Sequence, residues 1–361
     1  MNTDAALWLN ILDKTGELFR TARSPEADKD LFPKISADLD AMAKMISPTG
    51  IFYLVFSGMT NVGKSTLFNA LLGDTVAPTK NSAWSSTAVE YQYGESGKYE
   101  LVIPQEKYRS LHKGFDTSRQ LMAELNRFAV EGSIFQTREP LIVRFPCDLL
   151  RGGVTIVDTP GFGASDGIGD APLHDDILLS YLKKRESCLR VFWIVKDNID
   201  ETSVAFFKDH LSAFCSDLVV NLTDDDDDGD GGFRDRFEAL YKPAVGHAVR
   251  FHYINAKSAV RGMKNSDLEL QKSSGLTDLK SYLSYFSSPE GRTHLVEKDL
   301  TSMFQGISDY LYSSNHYSCA FQPTAWGTLS SLLRQADSPA LYRNFSQLEG
   351  DAKWQKRPYR S

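Results

Sequence analysis

The sequence has few of the features that mark secreted, membrane-spanning or metal-binding proteins. Its four cysteines lie far apart without a CxxC pair, which argues against disulfides or a zinc site and indicates a reducing compartment. Its seven histidines show no metal-ligand spacing. No apolar run reaches the roughly 18 residues of a membrane helix, and the first residues do not resemble a secretory leader. We therefore expect a cytoplasmic globular protein.

Positive charge is also scarce, because 40 Lys and Arg face 47 Asp and Glu, for a net charge of −7. Contacts to a nucleic-acid backbone need a dense basic surface, so we expect no general nucleic-acid binding. The 361 residues, 42% of them hydrophobic, suffice for one large or two modest domains with a core.

The clearest motif is GMTNVGKST at Gly58–Thr66, which contains the pattern GxxxxGKS between an apolar run and a helical one. In such a loop the glycines let backbone N–H groups surround a β-phosphate at the positive end of the next helix. Lys64 would reach the β- and γ-phosphates, and Ser65 would bind Mg²⁺. The residues predicted to hold the nucleotide here are Gly58, Thr60, Asn61, Val62, Gly63, Lys64, Ser65 and Thr66.

A second motif follows the β-branched run Val154–Val157 and reads Asp158-Thr159-Pro160-Gly161. A carboxylate at the end of a buried strand suits an outer-shell contact to Mg²⁺, and Gly161 offers an N–H and a hinge facing the γ-phosphate. The two motifs together indicate GTP.

A hydroxyl-rich segment lies between these motifs, directly before an alternating strand predicted at Ala88–Tyr93. Thr87 is the candidate for the switch threonine that closes on Mg²⁺ and the γ-phosphate. Ser85 or Ser86 could serve instead, and a plain polar loop is the alternative.

Base recognition is predicted after the strand Asp217–Val220, where the chain reads Asn221-Leu222-Thr223-Asp224. Asp224 can accept hydrogen bonds from guanine N1 and N2, whereas Leu222 occupies the position where a lysine is expected and could cover the ring by apolar contact. A polar turn after a later strand suits backbone contact with guanine O6. The residues predicted to contact the base are Asn221, Asp224, Asn255, Ala256 and Lys257.

The acidic segment Asp224–Asp235 has part of the ligand pattern of a calcium loop. It follows a strand and lacks the usual twelfth-position glutamate. We therefore favour a mobile acidic loop over a calcium site.

The stretch Gly58–Gly73, together with Asp158–Gly161, resembles the G domain of the Era/TrmE and dynamin branch of GTPases. The phrase NVGKSTLFNALLG is similar to the Era/TrmE type, whereas the motif spacing, with a long insert before Asp158, resembles bacterial dynamin-like proteins. The resemblance covers about residues 50–288. It implies an α/β P-loop NTPase G domain, with a mainly parallel sheet flanked by helices, that hydrolyses GTP.

The resemblance also indicates how catalysis departs from the common pattern. Phe162 follows Gly161 where other members carry glutamine, and Thr60 and Asn61 replace the Gln-Ser pair of dynamins. Asn61 matches the asparagine that binds K⁺ in TrmE-like proteins. We therefore predict a slow intrinsic GTPase accelerated by dimerisation across the nucleotide face, and K⁺ as a possible activating ion. The catalytic candidates are Lys64, Thr87 and Asn61, and the metal ligands are Ser65, Thr87 and Asp158.

Apolar stripes at helical spacing near both termini predict a small helical bundle, with helices laid separately on the sheet as the alternative. Too few residues follow Pro289 for a stalk and membrane paddle, so we disfavour membrane fission. The tail Lys353–Arg360 could contact anionic lipid, but its four cations are marginal for that, and we favour a solvated terminus. We divide the chain into N-terminal helices at 1–48, a G domain at 49–288, and C-terminal helices with a basic tail at 289–361.

Two functions fit this sequence. The first is GTP hydrolysis to GDP and phosphate as a conformational switch, with a nucleotide-dependent homodimer or a protein partner. The alternative is a degenerate GTPase that binds nucleotide only to stabilise a protein-binding shape. Leu222, Phe162 and Thr60 favour the alternative, whereas Lys64, Ser65 and Asp158 favour the enzyme.

Overall fold

The chain forms two compact units, Met1–Ile51 with Tyr285–Ser361, and Phe52–Ser284. The computed structural model describes residues 4–21, 27–47, 50–78, 88–105, 109–130, 139–159, 161, 178–182, 189–196, 201–211, 215–222, 232–242, 250–313 and 321–354.

The unit from Phe52 to Ser284 is built on one nine-stranded sheet with the order β4-β3-β5-β2-β6-β1-β7-β8-β9. Strands β6, β1, β7, β8 and β9 are mutually parallel; β2 and β5 are parallel to each other, while β2 is antiparallel to β6 and β3 is antiparallel to β5 and β4. The strands are β1 (Phe52–Gly58), β2 (Val89–Tyr93), β3 (Tyr99–Gln105), β4 (Arg109–Phe115), β5 (Leu141–Phe145), β6 (Val154–Asp158), β7 (Leu189–Lys196), β8 (Cys215–Asn221) and β9 (Arg250–Ile254).

Central strands of this sheet are buried on both faces, which explains their continuous apolar sequences. On one face, Phe56 of β1 stacks on Phe192 of β7 with ring centroids 4.7 Å apart. On the other face, Val55 and Trp193 belong to a hydrophobic cluster. The predicted mainly parallel sheet is therefore confirmed.

Helices surround this sheet. They are α3 (Lys64–Leu72), α4 (Ser118–Val130), α5 (178–182), α6 (Glu201–Phe206, continued by a π-helical turn at Phe207–Leu211), α7 (Gly232–Tyr241), α8 (Ala256–Lys264), α9 (Leu268–Ser273) and α10 (Leu276–Tyr285); a 3₁₀ turn at Asp148–Gly153 precedes β6. The predicted insert before Asp158 contributes β3, β4 and α4.

The second unit is helical and draws on both termini. Its helices are α1 (Ala5–Thr21), α2 (Ala27–Ile46), α11 (Pro289–Ser313), α12 (Pro323–Gln335) and α13 (Pro339–Trp354). Helix α1 packs against α2 and α12, and α11 packs against α13 and α2. The predicted bundle from both termini is confirmed. Across the described residues, no helix has the length and apolar character that would allow it to cross a bilayer.

Candidate functional site

The loop between β1 and α3 reverses the chain through two residues in the left-handed region, Asn61 with φ 63° and Gly63 with φ 91°. Glycine is also needed at Gly58, and at Gly63 for a second reason, because neighbouring atoms leave no room for a side chain at either residue. A Cβ at Gly58 would lie 2.4 Å from the Ile194 carbonyl oxygen, and one at Gly63 would lie 2.3 Å from Asn221 Nδ2. The loop is therefore packed directly against the ends of β7 and β8, with the first turn of α3, including Ser65 and Thr66, beginning where it ends.

Lys64 curls back over this loop. Its Nζ donates hydrogen bonds to the carbonyl oxygens of Gly58 at 3.3 Å and Met59 at 3.2 Å. Burial lowers the pKa of the Lys64 ammonium, and the nearby Asp158 carboxylate opposes that shift. The ammonium is thus held at the loop by weak carbonyl contacts that a phosphate oxygen could replace.

Asp158 ends β6 opposite Phe56 of β1, with a buried Oδ1 that accepts no hydrogen bond from the residues the structure describes. Burial raises the pKa of Asp158 to about 6, and Lys64 limits that rise. The next residue, Thr159, donates from Oγ1 to the Phe56 carbonyl oxygen at 3.1 Å and fixes the chain there. A buried carboxylate oxygen without a partner fits a Mg²⁺ site, because such an oxygen is costly unless a cation or its water shell approaches it.

Gly161 closes the other side of this site. A Cβ at this position would lie 2.9 Å from Thr60 Cγ2 and 3.0 Å from Lys64 Nζ. The backbone of Gly161 therefore touches both the phosphate loop and its lysine. The structure thus brings together the two predicted motifs, although about 100 residues of sequence separate them.

Asn221, at the end of β8, connects the phosphate loop to the segment after β9. Its Nδ2 donates to the Val62 carbonyl oxygen at 2.8 Å, and its Oδ1 accepts from the Ala256 N–H at 3.1 Å. Both polar ends of this side chain contact protein. A guanine O6 near Ala256 would compete with Asn221 for the same donor.

The predicted base-contacting turn is the beginning of α8. Asn255 caps this helix by accepting from the Ser258 N–H at 2.8 Å, and Lys257 is exposed in the first turn. Leu222 is partly buried against the hydrophobic cluster that contains Trp193, so this side chain contributes to the core. Cover of the base by Leu222 stays a prediction.

Several predicted residues lie outside the described part of the chain. They are Ser85, Ser86, Thr87, Phe162 and Asp224, with the remainder of the acidic segment up to position 231. In the part that is described, no group of three His, Cys, Asp or Glu side chains could hold a metal ion.

The sequence analysis missed Asn69, which the structure places on α3 with 5% exposure. Its Oδ1 accepts from the N–H groups of Val76 at 2.9 Å and Ala77 at 2.8 Å, and its Nδ2 donates to the Ala77 carbonyl oxygen at 2.8 Å. The available signal was one polar residue inside the otherwise apolar stretch Leu67–Leu72.

Comparison with known proteins agrees with this geometry. Residues 54–214 match the model of the dynamin family. This segment is a dynamin-family GTPase domain. The predicted resemblance is therefore confirmed, and the matched segment contains the phosphate loop, the DTPG motif and strands β2 to β7.

The individual relatives of the matched segment are distant. A bacterial dynamin-like protein from Nostoc punctiforme is 22% identical over 197 residues, an alignment that covers 53% of this chain and 27% of the relative. A solved structure described as an oligomerised bacterial dynamin pair, with a mechanism for long-range sensing and tethering of membranes, superposes with a TM-score of 0.52 at 14% identity. That match covers 86% of this chain and 45% of the other, and it indicates a shared fold.

Proposed function

We propose that this protein hydrolyses GTP to GDP and phosphate as a conformational switch, and that dimerisation across the nucleotide face accelerates it. The contact of Gly161 with Thr60 and Lys64 carries this proposal, because it joins the phosphate loop to the DTPG motif. A γ-phosphate bound at Lys64 would lie beside the Gly161 backbone. Loss of that phosphate would remove the interaction that holds the two segments together.

Each predicted site residue would have a role that follows from its position. The backbone from Gly58 to Thr66 would surround the phosphates, and Lys64 would neutralise their charge. Ser65 and Asp158 would hold Mg²⁺, with Thr87 as the expected switch ligand. The ion, when bound, would offset charge on the phosphate oxygens.

Asn61 is suited to act at an interface. Its side chain is exposed at the tip of the phosphate loop, and its backbone is left-handed, a conformation that asparagine tolerates. A cation bound there in a dimer would lie against the phosphates and offset developing charge as an arginine finger does. This position supports the proposal of dimer-dependent and K⁺-dependent turnover.

The experiment compares GTP turnover per molecule as protein concentration rises, in KCl and in NaCl, for the wild type and Gly161→Ala. We expect turnover to rise with concentration and to be faster in KCl. Gly161→Ala should lower it on the order of 100-fold, because the added methyl would press on Thr60 and Lys64. Gly114→Ala is the matched control, since its Cβ would meet nothing within 4 Å.

Turnover that is flat with concentration in both salts would remove the dimerisation and K⁺ proposals. A normal rate in Gly161→Ala would remove the proposed arrangement of the site.

A degenerate GTPase remains the second candidate, and the position of Leu222 favours it. Because Leu222 stands where a lysine is expected and is partly buried against the cluster that contains Trp193, the base would lack the cover usually given by a lysine stem, which weakens guanine binding. Single-turnover hydrolysis at high protein concentration separates the two candidates. Bound GTP that persists unhydrolysed would support the binding module and contradict the enzyme.

We further propose a cytoplasmic location and the boundaries 1–48, 49–288 and 289–361 for the parts of the chain. Cys147 is a free, half-buried thiol whose pKa is raised by burial, which suits a reducing compartment.

A homodimer or a protein partner is the proposed target of the switch. Binding to anionic vesicles in the presence of a GTP analogue would instead favour membrane contact of the kind described for the oligomerised bacterial dynamin pair.

A further inference from the structure

Glu90 is a buried carboxylate that the proposed nucleotide site does not use. It lies on β2 with 2% exposure. Its Oε1 accepts a hydrogen bond from the Tyr181 hydroxyl at 2.9 Å, and its Oε2 accepts one from Gln92 Nε2 at 3.1 Å. Tyr181 is itself 4% exposed. Burying a carboxylate is costly unless its bonds are maintained, so this contact constrains both partners.

Glu90 and Tyr181 lie in the elements that follow the two switch motifs in the sequence. Glu90 lies three residues after the switch candidate Thr87, on a strand whose first residue, Val89, pairs with Asp158. Tyr181 lies on α5, downstream of the DTPG motif. The hydrogen bond therefore joins the element that follows the first switch motif to the element that follows the second.

A hydrogen-bonded network holds Glu90 from its other side. Gln92 accepts from Arg144 Nε at 3.2 Å, and Arg144 Nη1 donates to Glu100 Oε2 at 3.4 Å. Glu100 also contacts His112 Nδ1 at 2.6 Å, at the outer edge of the sheet. The network crosses β2, β5, β3 and β4, so Glu90 is fixed relative to the sheet, and its bond to Tyr181 ties α5 to that position.

We propose that Glu90 and Tyr181 are positioning residues that couple the two switch motifs, so that the element after DTPG responds together with β2 when GTP replaces GDP. This inference rests on the proposed function of the same site. The Tyr181 ring also packs edge-on to Tyr53 with centroids 6.5 Å apart, so removing the hydroxyl alone leaves a packed ring in place.

The test compares wild type, Tyr181→Phe and Glu90→Gln by calorimetry with GDP and with a non-hydrolysable GTP analogue, together with kcat and KM for GTP. For Tyr181→Phe we expect GDP affinity to stay within about twofold, while analogue affinity and kcat fall on the order of tenfold. Glu90→Gln should stay near the wild type, since its amide can still bond to the Tyr181 hydroxyl and to Gln92.

Tyr342→Phe in the helical unit is the matched control, because it removes the same atom from an exposed hydroxyl that contacts Arg334. It should change neither nucleotide's affinity. Equal loss of GDP and analogue binding in Tyr181→Phe, or no loss, would overturn the coupling, as would a Glu90→Gln variant as defective as Tyr181→Phe. A wild type that binds neither nucleotide would overturn the proposed function, and this inference with it.

Discussion

The Asp158 side chain lies in surroundings that favour its protonated form. Burial raises its pKa from the ordinary 3.8 to about 6, so the nucleotide-free folded state binds the proton more tightly than the unfolded chain does. The contribution of Asp158 to stability therefore decreases as pH rises from about 4 to about 6 and is constant above that window. Mg²⁺ and nucleotide would reverse this penalty by favouring the carboxylate.

We predict that Asp158→Asn stabilises the nucleotide-free protein at about pH 7.5 by about 1 to 3 kcal/mol, because the amide carries no charge to desolvate. At about pH 4 the difference should nearly vanish. Urea denaturation at the two pH values measures it, with Asp116→Asn, whose side chain is 71% exposed, as the control. A variant that is less stable than the wild type at about pH 7.5 would contradict this account.

The sequence alone constrains the residues expected around the phosphates more tightly than those expected around the base. Gly58, Lys64 and Gly161 follow from fixed motifs, because backbone approach and phosphate charge allow few alternatives. The dual role of Asn221 could not be read from the sequence, since it depends on the distance between the loop after β1 and the turn after β9. The position of Leu222 likewise depends on which face of β8 is covered.

At the scale of elements, Asn69 determines how the chain leaves α3. One side chain satisfies three backbone groups of the segment that ends at Ala77, and Tyr91 Oη adds a 3.4 Å contact to the Val76 carbonyl oxygen. This segment leads toward Thr87. The direction of the chain from the end of α3 to Ala77 is therefore fixed by hydrogen bonds in a buried setting.

We predict that Asn69→Ala costs about 2 to 4 kcal/mol of unfolding free energy, because it leaves buried N–H and C=O groups without partners. Asn69→Asp should cost at least as much: it keeps the oxygen that accepts from Val76 and Ala77, but it places a buried carboxylate oxygen against the Ala77 carbonyl oxygen. Denaturant unfolding of both variants measures the difference. A cost below about 0.5 kcal/mol for Asn69→Ala would show that water replaces the lost bonds.

Strands with both faces buried were easier to predict from the sequence than exposed strands. The apolar run of β1 and the β-branched run of β6 indicated buried strands, because both of their faces are covered. The sequence of β4, RSLHKGF, gave no such signal, because an edge strand exposes polar side chains and needs no apolar alternation. The insert was therefore predicted as a segment but not as a hairpin followed by a helix.

At the scale of the whole molecule, the helical unit depends on contacts between distant parts of the chain. Phe304 of α11 is fully buried and packs on Phe345 of α13 with ring centroids 5.5 Å apart. Trp326 of α12 stacks on the same Phe345 ring at 4.0 Å. Three helices thus meet around one aromatic cluster, which the apolar stripes could not reveal because many pairings satisfy the same spacing.

We predict that Phe304→Ala lowers the unfolding free energy by about 3 to 5 kcal/mol, since it leaves a cavity in this cluster. Gly306→Ala in the same helix should raise it by up to about 1 kcal/mol, because its added methyl would meet nothing within 4 Å. Thermal or chemical unfolding measures both. Equal effects of the two substitutions would argue against this packing.

Each compact unit encloses a fully buried indole, Trp8 in the helical unit and Trp193 on β7 of the sheet unit. Trp193 stacks on Phe206 with centroids 5.7 Å apart, so its emission should be shifted to the blue and should redden only when the sheet opens. Because the chain has five tryptophans, the difference in emission between the wild type and Trp193→Phe would report on the sheet unit, and the difference for Trp8→Phe on the helical unit, without any attached dye.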